Sequence, residues 1–123
     1  MTGRAKRKGD LGEREAAALL TAETGIEIRR QLGAGRTNSA GGDVGDLEGL
    51  PYTVIQVANK ANTPEACLNK PVEVEMQKWN AKAKFAASMI RWRGGKWRIV
   101  LTVPQFWKIL KAAIWAVENG YKG

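Results

Sequence analysis

Apolar positions along the chain switch repeatedly between a helical and a strand period. The first helical stretch opens at Asp10. Asp10 and Glu13 stand at N-cap to N3 spacing, Ala16 to Leu20 are strong helix formers, and Gly25 ends the run. Ile26 and Ile28 then alternate with Glu27 and Arg29, which predicts a strand over residues 26–32. Residues 33–42 are rich in Gly, Asn, Ser and Thr and read as a loop. A short strand is expected over residues 44–48, a turn at Gly49-Leu50-Pro51, and a strong strand over residues 52–59, rich in Val, Ile, Thr and Tyr. Residues 62–70 read as loop. Pro71 suits a first helical turn, and Met76, Trp79, Ala83, Ala86 and Ile90 would share one helical face. Residues 90–103 predict a hairpin turning at Gly94-Gly95. Pro104 opens a last helix with Phe106, Ile109, Leu110, Ala113 and Val117 on its apolar face, capped by Gly120. The order α-β-β-β-α-β-β-α predicts an α/β fold, a mixed central sheet of about five strands flanked by helices.

Composition narrows the class. The 123 residues form one domain, expected as a flexible basic arm over 1–9 and a folded body over 10–123. Twenty Lys and Arg against twelve Asp and Glu give a net charge of +8, which points to a polyanionic partner, most often nucleic acid. The absence of His excludes His-dependent nucleases, Ser-His-Asp hydrolases and His-ligated zinc. The single Cys67 excludes an internal disulfide and fits a reducing cytoplasm. No apolar run approaches the roughly 20 residues of a membrane span, and the basic N-terminus leads into no apolar stretch. Any metal must then be hard and oxygen-liganded, such as Mg2+ or Mn2+.

Three positions carry candidate chemistry. Glu13 has Ala16, Ala17 and Leu20 at i+3, i+4 and i+7, so its carboxylate lies along an apolar face; it can close a capping box with Asp10, bind something there, or both. Asp46 precedes the Gly49 turn, where an Asx-turn role is also open, and more strongly so for Asp43. Strand alternation puts Tyr52, Val54, Gln56, Ala58 and Lys60 on one face and Ile55 and Val57 on the other, and a hairpin around the turn brings Asp46 near Gln56.

Lys-Gly-x-x-Gly-Glu-Arg-Glu opening a helix, then Gly-Asp, a Gly-Leu-Pro turn and a strand, resembles the PD-(D/E)XK nucleases, in particular the Holliday-junction resolvases of archaea and of actinobacterial phages. The likeness runs from about Lys8 to Lys60. It implies a restriction-endonuclease-like sheet, Mg2+ or Mn2+, hydrolysis of DNA phosphodiesters, four-way junctions as a substrate, a two-fold homodimer, and a prokaryotic or phage-infected cytoplasm. By position Glu13 matches the helix glutamate and Asp46 the metal aspartate. Gln56 stands where the family has Glu, and Ala58 where it has Lys. The implied metal ligands are Asp46 and Gln56, and the implied catalytic set is Glu13, Asp46, Gln56 and Lys60, the last replacing the missing Lys from two residues further along the same face.

A basic surface is expected from Arg4, Lys6, Arg7 and Lys8 in the arm, Arg36 in the loop, and Lys78, Lys82, Arg91, Arg93, Lys96 and Arg98, a stretch with no acid between 78 and 98. A Gly94-Gly95 turn would set Arg91 opposite Arg98, Trp92 opposite Trp97 and Arg93 opposite Lys96. Facing cations are unfavourable across strands and would be relieved by phosphates. Trp92 and Trp97 are open to two readings, base stacking or a cross-strand structural pair. Trp107 and Trp115 could cover the core or face a second subunit.

Overall fold

A computed structural model of the chain describes residues 3–31, 45–59, 61–92 and 95–123, with side chains described from residue 11 onward. The elements are α1 (Gly3–Thr24), β1 (Arg29–Arg30), β2 (Leu47–Glu48), β3 (Thr53–Asn59), α2 (Thr63–Ala81), β4 (Phe85–Arg91), β5 (Arg98–Val100) and α3 (Val103–Glu118). The strands form one sheet in the order β1-β2-β3-β4-β5. The β3–β4 pair is parallel, with Gln56 beside Ser88 and Asn59 beside Arg91, and the other pairs are antiparallel. This is the expected mixed five-stranded α/β sheet in the expected order of elements.

The two central strands are covered on both faces, which is why β4 reads Phe-Ala-Ala-Ser-Met-Ile-Arg without alternation. On one face α1 brings Ala16 and Ala17 against Ile28, Leu47, Ile55, Ala87 and Met89. On the other, Val74 of α2 meets Val54 and Ala86, and Ala66 meets Ala58 and Ile90. Met89 and Ile90 are 2% and 1% exposed. Each such side chain stabilises the fold by roughly 1.5–3 kcal/mol. The approach of α1 to β3 depends on Gly12, because a Cβ there would stand 2.8 Å from Cβ of Asn59.

Several boundaries correct the sequence reading. α1 starts at Gly3, seven residues before the expected cap at Asp10, so the basic segment carrying Arg4, Lys6, Arg7 and Lys8 is helical in its backbone. α2 starts at Thr63 and not at Pro71: Asn62 caps it, accepting from the Glu65 N–H (3.1 Å), and Pro64 takes the first-turn place. α2 stops at Ala81 because Lys82 turns left-handed (φ 54°), donating its N–H to Trp79 (3.1 Å), while Ala83 donates to Lys78 (3.0 Å) in a Schellman closure. The expected helical face is therefore broken. Ala86 and Ile90 belong to β4, and Met76 and Trp79 are 63% and 79% exposed.

The hairpin is also shifted by one residue. Ile90 and not Arg91 faces Arg98, and Gly95 N–H donates to Trp92 O (2.8 Å). The expected Arg91–Arg98 and Trp92–Trp97 pairs do not form.

Candidate functional site

Asp46 lies where β2 meets β3. Its N–H donates to Ile55 O (2.9 Å), its carbonyl accepts from Gln31 N–H (2.9 Å), and its Oδ2 accepts from Val57 N–H (2.8 Å). The carboxylate thus prolongs the ladder one step beyond the Leu47–Ile55 pair, standing in for a strand carbonyl. The hairpin does bring Asp46 to within one residue of Gln56 along the chain of β3, as expected.

Gln56 is 7% exposed and points to the α2 side, between Val54 and Ala58 on the same face. Its Nε2 donates to Glu73 Oε1 (3.2 Å), and Lys70 Nζ donates to the same oxygen (3.1 Å). The Oε1 of Gln56 and the Oγ of Ser88, its neighbour on β4, are buried without a hydrogen-bond partner. Such atoms are costly in a sheet interior.

Glu13 is 7% exposed on the sheet-facing side of α1, one turn before Ala16 and Ala17. It therefore lies across the sheet from Gln56, and the expected constellation of Glu13, Asp46 and Gln56 does not converge on one face. Instead, the α1 side carries a second polar group. Arg91 Nε donates to Asn59 Oδ1 (3.3 Å), its guanidinium pairs with Glu15, and it stacks 4.4 Å from the centre of the Trp97 ring. Arg91 is thereby built into the structure and does not offer its charge to a ligand. Lys60 and Asp43 lie outside the described residues.

The sequence reading missed Glu73, Lys70, Asn59 and Glu15. A helix starting at Pro71 would put Glu73 in its first turn. Only when α2 begins at Thr63 does it fall mid-helix, above Gln56. The i,i+3 spacing of Lys70 and Glu73 was a legible signal.

The donor set argues against a hard divalent cation at Gln56. Such an ion needs several carboxylate or carbonyl oxygens converging at about 2.0–2.6 Å. Gln56 offers only a neutral amide oxygen, and the Glu73 carboxylate beside it already accepts from the Gln56 amide and the Lys70 ammonium. Among the described residues no three or more His, Cys, Asp or Glu come together as a metal site.

Of the expected basic surface, Lys82, Lys96 and Arg98 are exposed, and Lys78 is held by Glu75 at 2.6 Å. Arg36 and Arg93 lie outside the described residues, as do the side chains of Arg4, Lys6, Arg7 and Lys8. No described helix is long and apolar enough to cross a membrane. Comparison with protein-family models, with curated proteins and with solved structures gives no match to this chain.

Proposed function

We propose that the chain is a DNA-binding module on a nuclease-like α/β scaffold, which binds branched or duplex DNA through its basic surface and does not cut through a metal at Gln56. The observation that carries this reading is the placement of Gln56. Its amide is hydrogen-bonded to Glu73 beside Lys70, on the opposite side of the sheet from Glu13. The charge of +8, with Lys82, Lys96 and Arg98 exposed, supports a polyanion as partner. The mixed sheet flanked by helices is of the kind that the resemblance implies, and such a scaffold does not by itself fix a function.

The endonuclease reading retains one supporting feature, the Asp46 carboxylate seated against β3. A single assay separates the two. Labelled four-way junction and linear duplex are incubated with the protein in Mg2+, in Mn2+ and in EDTA. Binding that survives EDTA, with no cleavage in either metal, is the expected result; metal-dependent strand scission would restore the endonuclease. Affinity should fall steeply with salt. Neutralising four phosphates gives a log–log slope of roughly −3.6, a loss on the order of 10²-fold between 50 and 200 mM salt.

We further place the protein as a homodimer in the cytoplasm of a prokaryote or phage-infected cell. Leu68, Val72, Met76 and Trp79 form an exposed apolar stripe along the outside of α2, and α3 exposes Phe106, Trp107, Trp115 and Val117. A two-fold contact would cover such stripes.

A further inference from the structure

The correction to the hairpin register separates the fates of its two tryptophans. Trp97 is consumed by the fold, stacked under Arg91. Trp92 follows the end of β4 with 59% of its surface exposed. It is nevertheless held in place. Its carbonyl accepts the Gly95 N–H (2.8 Å), and a Cβ added at Gly95 would stand 3.2 Å from Cε2 and 3.3 Å from Nε1 of the indole. The ring therefore lies over the bare Cα of Gly95, propped from one side by the turn.

Beyond the indole opens a cleft of about 730 Å³ lined by Ala61, Thr63, Pro64, Cys67 and Trp92. Its walls are largely apolar, and its one hydroxyl, Thr63 Oγ1, has no hydrogen-bond partner. The cleft sits at the carboxyl ends of the parallel pair β3 and β4, beside the start of α2. Ligands of open α/β sheets bind at that end. Lys96 follows Gly95 directly, and both Lys96 and Arg98 are exposed. A cleft with an indole wall, followed along the chain by exposed cations at 96 and 98, suits a planar group attached to an anion.

We propose that this cleft receives an unstacked nucleobase of bound DNA, with Trp92 as the stacking platform and Lys96 and Arg98 on the adjoining phosphates. The proposal rests on the DNA-binding reading and deepens it: the preferred ligand is DNA with an unpaired or splayed base, such as a branch point, bulge or single strand. Stacking on an aromatic side chain tolerates any base, so the selectivity is for the unpaired state and not for sequence.

The test compares the affinity of the full-length protein for a linear duplex and for the same duplex carrying one unpaired base, at one salt concentration, by anisotropy of labelled DNA. The wild type should prefer the bulged DNA. Trp92→Ala should weaken bulge binding by roughly 5- to 150-fold, the range for loss of one base stack, and leave duplex binding unchanged. Trp92→Phe should keep most of the preference. Gly95→Ala, whose Cβ would stand 3.2 Å from the indole and shift it by a few tenths of an ångström, should reduce it less than Trp92→Ala does. Cys67, the single cysteine, reports occupancy independently: bulged DNA should slow its reaction with a maleimide several-fold, and duplex should not. A wild type that binds duplex and bulged DNA equally, or a Trp92→Ala variant that weakens both alike, overturns the cleft assignment while leaving the DNA-binding reading in place. Failure of the wild type to bind any DNA overturns both.

Discussion

Gln56→Glu introduces the residue found at this position in the nucleases that the sequence resembles, and the structure predicts that it harms the protein when no divalent ion is present. The new carboxylate would stand where the Gln56 amide now donates to Glu73, 3.2 Å from its oxygen. Two charges at that distance repel by about 5 kcal/mol at an effective dielectric constant of 20. The folded protein escapes by protonating one of them. Protonating a carboxyl of ordinary pKa about 4.3 at pH 7 costs about 3.7 kcal/mol, which caps the penalty. Lys70 beside Glu73, and the 48% exposure of the Glu73 side chain, reduce it further. The expected loss is therefore roughly 2–3 kcal/mol, or about 10 °C in Tm for a domain of this size. The sign of the pH dependence follows. A carboxyl whose folded pKa is raised binds more protons folded than unfolded, so its penalty is absent below about pH 4.3 and grows as pH rises through the folded value. Thermal melts at pH 4 and pH 7 should show wild-type and variant curves converging at the lower pH. Millimolar Mg2+ or Mn2+ should raise the Tm of the variant and leave the wild type unmoved, since only the variant presents two carboxylates to an ion. A variant as stable as wild type at pH 7 would refute the placement of Gln56 against Glu73. A wild type stabilised by Mg2+ would refute the argument that these residues do not fit a metal.

The other predictions concern the helices. Lys82 is exposed and left-handed at the end of α2, so Lys82→Gly should raise stability by about 1 kcal/mol in a urea titration while lowering DNA affinity, separating fold from binding at one residue. Gln105 is 3% exposed and its Oε1 accepts the buried Ala86 N–H at 3.0 Å; Gln105→Leu orphans that donor and should cost about 1–3 kcal/mol, read as faster proteolysis within α3. Sedimentation at tens of micromolar should give a dimer, and Trp79→Glu, which puts a charge into the α2 stripe, should yield the 13.5 kDa monomer.

The order of elements was legible because the two periods alternate and most switches fall near Gly or Pro, the exception being the passage from α2 to β4 at residues 82–84. What failed had local causes. The alanines and Met89 of β4 are good helix formers, so the run from Ala81 to Ile90 continued a helical pattern. The strand is decided by burial on both faces of the sheet, which local propensity does not encode. The hairpin slipped by one because Gly94-Gly95 looks like a two-residue turn, whereas the register is set by Met89 opposite Ile99. At the site, alternation correctly assigned Gln56 and Ala58 to one face and Ile55 to the other. It could not say that α1, with Glu13, covers the Ile55 face. That depends on which helix packs on which side, a property of the chain's path and not of any one segment.

Ala58 extends this argument to the second position where the chain differs from the nucleases that its sequence resembles. It is 1% exposed and packs against Ala66 of α2 and Ile90 of β4. Small residues face each other there, so α2 lies close on β3. A lysine at 58 would have to drive its stem through that contact and leave an ammonium under the helix. Overpacking alone costs about 1–3 kcal/mol, and an unpaired buried charge costs more. Gln56 and Ala58 are thus linked: both lie beneath α2, where Glu73 engages the first and Ala66 closes over the second. Ala58→Lys should be strongly destabilised, with a loss above about 3 kcal/mol in urea unfolding. Pairing it with Gln56→Glu should recover part of that loss, because the two new charges would neutralise each other on one strand face. A fully stable Ala58→Lys protein would mean that α2 leaves room over β3, and the absence of lysine at this position would then need another cause than packing.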